Sequence, residues 1–244
     1  MHPRSAPLAG IDPSRISIIQ EIARSDASSI FEVDLEGQTY ALKLFHDNGD
    51  PGYTEKGRDL NRFRCESNAY KKLLASGVCE SSLVPKCYGF IHRVDPAAFH
   101  NHHHPGLQHF AHDKFHPSAI LLEYLPNAEP LNCVNYNQAL YPQAIEGMEA
   151  IHSAGVLHWD IYPRNLLLVR GGGGGGGSGN GSGNGSGNGN DRLVWMDFDV
   201  ATTFSELGPE ERARCEHEIA LVKSFGDLLR EDQAEGLPPN TKFY

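Results

Sequence analysis

Apolar and polar positions alternate with a period of two through the first part of the chain, and the pattern predicts three strands. The first holds Ile16, Ile18 and Ile19, the second Ile30, Phe31 and Val33, and the third runs over 40–45, with Gly37 at the turn before it. The period then changes. Leu60, Phe63, Tyr70, Leu73 and Leu74 recur at helical spacing, which predicts a helix over 58–75 that Gly77 stops. Strands are expected again near 86–91 and 119–124. Between them lie His100, His102, His103, His104, His109, His112 and His116, read as a long surface loop. Beyond Pro126 the pattern is helical, with Tyr141, Ala144, Ile145, Met148, Ile151 and His152 on one stripe and Gly155 as its cap. A strand-rich half is followed by a helix-rich half.

Residues 171–190 read GGGGGGGSGNGSGNGSGNGN and offer no side chain that can build a core. They are expected to form a flexible insertion between strands over 166–169 and 193–196. Lengthening a hairpin loop to this extent costs only about 2 kcal/mol of closure entropy, so a fold can carry it. A last helix is predicted over 209–232, with Cys215, Ile219, Val222, Phe225 and Leu229 on one face and Pro209 in its first turn.

Composition narrows the classes. A chain of 244 residues with 39% hydrophobic content can bury a substantial core. A formal net charge of -10 opposes a nucleic-acid-coating role, which needs a basic surface. No apolar run is long enough to cross a bilayer and the first residues lack a secretory pattern, so no membrane partner and an intracellular, cytoplasmic location are expected. Five scattered cysteines contain no C-x-x-C pair and read as reduced and structural.

The candidate chemistry lies in Leu157 to Val169, LHWDIYPRNLLLV, where His158, Asp160 and Asn165 fall in an H-x-D-x-x-x-x-N frame. This resembles the catalytic loop of protein kinases. Phosphoryl transfer needs a carboxylate to orient the attacking hydroxyl and an amide oxygen to ligate a metal, roles that Asp160 and Asn165 match. Met196-Asp197-Phe198-Asp199 is similar to the D-F-G motif with aspartate in place of glycine, so the resemblance makes Asp197 a second Mg2+ ligand. Asn165 and Asp197 are 32 positions apart, and removal of the 20-residue tract leaves 12, the short separation the family uses. Tyr40-Ala41-Leu42-Lys43 resembles the V-A-I-K strand, with Lys43 on the face of Ala41. An ammonium in an apolar setting needs an anion. Glu66, three residues after Phe63 and four before Tyr70, lies within the helical stripe and is the candidate partner, with Glu55 a competitor. Residues 120–126, ILLEYLP, look like the fifth strand and hinge, so that backbone groups of Glu123 and Leu125 would meet adenine with Leu122 behind the base. His158 is read as structural, tying the loop to the Asp197 region.

The chain also departs from that family. The positions of the phosphate-loop glycines fall at Ala23, Ser25 and Ser28. Trp159 stands for the arginine of H-R-D, Tyr162 for a common lysine, and Arg164 is positioned to restore the positive charge. Only 47 residues follow Asp197, without an A-P-E sequence. The resemblance therefore implies an α+β, bilobal protein-kinase-like fold: a disordered 1–13, an N-terminal lobe over 14–125 with a five-stranded antiparallel sheet, one helix and the histidine loop 92–118, and a compact, mainly helical C-terminal lobe over 126–244. RIO-like atypical kinases and aminoglycoside phosphotransferases are the nearest in style. The implied function is ATP- and Mg2+-dependent transfer of a phosphoryl group to a hydroxyl, of a protein slightly before a small molecule. The alternative is a pseudokinase that acts as a binding scaffold. A metal-sequestering histidine loop is a remote third.

Overall fold

The computed structural model describes residues 10–171 and 191–239, and its fold is α+β. Ten strands and three helices follow in order: β1 (Ile16–Arg24), β2 (Ser28–Leu35), β3 (Gln38–Asp47), α1 (Arg62–Ser76), β4 (Cys87–Ile91), β5 (Phe115–Glu123), β6 (Glu129–Pro130), α2 (Pro142–Ser153), β7 (Val156–Leu157), β8 (Leu166–Val169), β9 (Arg192–Trp195), β10 (Thr202–Thr203) and α3 (Pro209–Glu235). The first five strands form one antiparallel sheet in the order β1-β2-β3-β5-β4. Two small antiparallel sheets, β6-β8-β9 and β10-β7, belong to the second half.

The period-two pattern has its expected consequence in β3. Leu42 and Leu44 enter one apolar cluster, while Ala41 and Phe45 join the other, across the sheet. Gly37 supplies the left-handed backbone (φ 81°) that the β2–β3 turn requires. The larger cluster joins the underside of the sheet to α1, α2, α3 and β9, with Tyr70, Met148, Trp195, Phe198 and Val222 fully buried in it.

Helix α1 starts later than 58. Asn61 caps it by accepting the amide of Arg64 at 2.9 Å, and a bridge between Tyr53 and Asp59 keeps the preceding residues extended, so Leu60 lies outside the helix and is exposed. Gly77 ends it in the left-handed conformation (φ 83°). Helix α3 runs on to Glu235, and Gly236 (φ 68°) closes it. At the other end, part of the stretch 1–13, expected to be disordered, is ordered: the Asp12 side chain caps a short 3-10 turn at Pro13–Arg15, and Ile11 packs on the core. Residues 1–9 of that stretch and 172–190 of the expected insertion lie outside the described residues.

The histidine segment is not a bare surface loop. Val94, Phe99, Leu107 and Phe110 are buried on the face of the sheet opposite α1, against Ile16, Phe31, Leu42 and Leu44. Its backbone is stitched to β1 through His100 N to Ile16 O (3.0 Å) and Asn101 Nδ2 to Ile18 O (3.1 Å). His100, His102, His103, His109, His112 and His116 are exposed on this cap, and His104 is half-buried.

Candidate functional site

A cavity of about 460 Å³ opens between the five-stranded sheet and the elements that follow it, within the usual range of roughly 300–1,000 Å³ for small-molecule sites. Ile22, Ala23, Ile30 and Ala41 line it from the sheet, Leu167 from β8, and Leu122 to Leu125, Asn127 and Ala128 from the segment connecting the two halves. Its polar end holds Lys43, Glu66, Arg164 and Asp197.

Lys43 Nζ lies 2.6 Å from Glu66 Oε2 and 2.7 Å from Asp197 Oδ1. Lys43 and Glu66 are 4% and 1% exposed, so this contact is a buried one. One ammonium serves two carboxylates, and the charges divide unequally. Burial alone would depress the lysine, but Glu66 and Asp197 outweigh it and hold the ammonium more firmly than usual. Burial disfavours the Asp197 carboxylate, and the Lys43 charge and hydrogen bond overcome that, keeping it below the ordinary range. Glu66 is left with the cost: burial, partly countered by Lys43, pushes it up to about 7. Asp199 is also raised, by burial and then by Asp197, and pairs with Arg62 at 3.0 Å.

The loop between β7 and β8 presents Asp160 and Asn165 beside this end. Asn165 Nδ2 donates to Asp160 Oδ2 at 2.6 Å and to Asp160 O at 2.9 Å, and Arg164 Nη2 reaches the Asp160 carboxylate at 3.2 and 3.3 Å while its guanidinium lies 4.4 Å over the Tyr162 ring. Asp160 and Asn165 do not themselves line the cavity, but Asp160 is bonded to Arg164, which does, and Asn165 is bonded to Asp160. Met196 N donates to Asn165 O at 2.9 Å, which ties the residue before β8 to the one before Asp197. His158, fully buried, donates from Nε2 to Met196 O at 3.0 Å and packs on Trp195 and Phe198, so it ties the loop to the strand before Asp197.

Ala23, Leu122, Glu123 and Leu125 are brought to the cavity, whereas Ser25 and Ser28 are not among its lining residues. The Ser25 hydroxyl accepts the amides of Ala27 (3.2 Å) and Ser28 (3.1 Å), and Ser25 N donates to Ser28 O at 2.8 Å, so this turn closes on itself. Glu55 is exposed and takes no part.

Sequence reasoning missed Glu218. This α3 carboxylate, 5% exposed, accepts from His152 Nε2 (2.7 Å), Trp159 N (2.7 Å) and His158 N (3.2 Å). It anchors the loop at its strained point, since Trp159 is in the left-handed region (φ 66°), unfavourable for a bulky residue. Asp197 shares that conformation (φ 66°), with Lys43 holding its carboxylate.

The donor set fits a hard divalent cation in one respect. Asn165 Nδ2 is committed to Asp160 and Asp197 Oδ1 to Lys43, so Asn165 Oδ1 and Asp197 Oδ2 are the oxygens of these two residues left to meet a hard cation, the donor type that Mg2+ takes alongside phosphate oxygens. Among the described residues no group of three or more His, Cys, Asp or Glu side chains is arranged to hold a metal, the cap histidines included, and no helix is long and apolar enough to cross a membrane. No protein-family model matches the chain, and no curated protein is significantly similar to it.

Proposed function

We propose that this chain is an ATP-dependent phosphotransferase of the protein-kinase-like superfamily, bilobal, with the five-stranded sheet and α1 as one lobe and the remainder as the other. The observation that carries the proposal is the Lys43 ammonium held between Glu66 and Asp197 at the polar end of a cavity walled elsewhere mostly by apolar side chains. A buried ammonium with two anions is costly to assemble and serves to present positive charge to a polyanion. In this reading Lys43 grips the phosphates and Glu66 orients it. Asn165 and Asp197 would hold Mg2+, which neutralises phosphate charge when bound. Asp160 orients the acceptor hydroxyl and takes its proton, and Arg164 adds charge where the phosphoryl group passes. Backbone groups of Glu123 and Leu125 meet adenine, with Leu122 behind it and Ala23 above. The acceptor is a hydroxyl, of a protein in preference to a small molecule, and the five buried unpaired cysteines suit a reducing, cytoplasmic setting.

One observation favours the alternative of a pseudokinase. The Ala27 and Ser28 amides are spent on the Ser25 hydroxyl and the Ser25 amide on Ser28 O, so this turn has fewer donors to offer a phosphate. Turnover of ATP over a panel of alcohol acceptors separates the two. The phosphotransferase reading expects transfer that Asp160→Ala abolishes while nucleotide binding persists. Binding by the wild type without transfer to any acceptor would leave the scaffold reading.

A further inference from the structure

The segment that crosses between the two halves is clamped from outside the cavity. Arg192, on β9 opposite Val169 of β8, donates Nη2 to Glu123 Oε1 at 2.5 Å and Nη1 to Ser82 O at 3.0 Å. Glu123 Oε2 accepts the amide of Lys86 at 3.1 Å, and Glu123 N donates to Lys86 O at 2.8 Å. Trp195 N reinforces the contact with a bond to Leu83 O at 2.9 Å. Glu123 is therefore fixed to β4's approach by the Lys86 backbone and to the β8–β9 hairpin by a guanidinium that does not line the cavity.

Arg192 and Glu123 are each about one-quarter exposed, and ion pairs with such access to water add little to stability. Geometry is what this one supplies. A planar guanidinium fork bonded in two directions holds its acceptors at set positions, which a lysine cannot do. The hairpin it holds carries Leu167, which lines the cavity together with Ile22, Ala23, Ile30 and Ala41 of the sheet, and the residue it holds begins the connecting segment. A flat ligand in this slot would be recognised edge-on by peptide groups of that segment, and such bonds weaken steeply with small changes of distance and angle.

We propose that Arg192 is a base-positioning residue: by tying β9 to Glu123 it sets the peptide groups of residues 123–125 against the Leu167 wall, and so gives the cleft its selectivity for a purine bearing a 6-amino group. This rests on the nucleotide reading above. The test compares binding of ATP with that of purine riboside triphosphate, which lacks the 6-amino group, to the full chain and to Arg192→Met. The wild type is expected to favour ATP by roughly tenfold, the worth of one good hydrogen bond. Arg192→Met is expected to bind the two nearly alike, and Arg192→Lys, which keeps charge towards Glu123 but loses the fork, to fall between them. If Arg192→Met does not fold, Glu123→Gln carries the same expectation of lost selectivity. An unchanged ratio in variants that bind nucleotide overturns the proposal and makes the clamp merely structural. Failure of the wild type to bind either nucleotide overturns the nucleotide reading itself, and this inference with it.

Discussion

Replacing Glu218 with alanine removes one acceptor shared by three donors. The His152 imidazole, the Trp159 amide and the His158 amide lie 2.7, 2.7 and 3.2 Å from it, in a region where Glu218, His152 and His158 are all buried. A buried donor left without a partner costs about 1–3 kcal/mol. The left-handed Trp159 backbone adds strain on the order of 1 kcal/mol that the same bonds now contain. Since such terms do not add fully, the loss is set at roughly 3–5 kcal/mol, the range for breaking a buried charged contact by removing one partner. Glu218→Gln keeps one acceptor oxygen and the packing, so about half that loss is expected. Urea unfolding reads both: the midpoint falls while the slope is unchanged, because the surface exposed on unfolding is the same. The loop it anchors carries Asp160 and Asn165, so under the phosphotransferase proposal transfer should fall further in either variant than ATP affinity does. An alanine variant that loses less than about 1 kcal/mol would refute the claim that this carboxylate anchors the loop.

The Glu66 carboxyl, raised to about 7 against its usual 4.5, favours the fold in its protonated form. Its contribution is complete below the unfolded value and disappears as pH rises through about 7, so the ligand-free protein should lose about 1 kcal/mol between pH 6 and pH 8; a Glu66→Gln variant with the same slope would assign that dependence to another group. Phe99, 1% exposed beneath the histidine cap, should cost about 3–5 kcal/mol on replacement by alanine, measured by denaturant unfolding. His102→Ala, on the exposed side of the same segment, should stay within roughly 0.5 kcal/mol of the wild type; equal small effects would mean the segment does not cover the sheet.

The Lys43–Glu66 contact was legible in the sequence because each partner violated a local pattern: a lysine on the buried face of an alternating strand and a glutamate inside a helical apolar stripe. Glu218 violates its stripe in the same way, three residues after Cys215 and four before Val222, both buried. It passed unnoticed because acidic and basic neighbours surround it in ERARCEHEIALV, where one more charge looks solvated. The cap was hidden for another reason. Val94, Phe99, Leu107 and Phe110 occupy loops and 3-10 turns, which impose no fixed period on their apolar residues, and histidines dominate the composition between them. The Ser25–Ser28 turn could not be read by counting alone, since a serine hydroxyl that satisfies its own turn amides leaves no trace in spacing. The early start assigned to α1 came from counting Leu60 into the stripe, whereas the capping ability of Asn61 decides the boundary.

Calorimetric titration of the full chain with ATP, in the presence and absence of Mg2+, tests the central claim most directly. Binding that depends on Mg2+ and weakens at least about tenfold in both Lys43→Met and Asp197→Asn is the predicted result. No heat with the wild type, or variants that bind as tightly as the wild type, would contradict the claim that Lys43, Glu66 and Asp197 form a phosphate-binding centre.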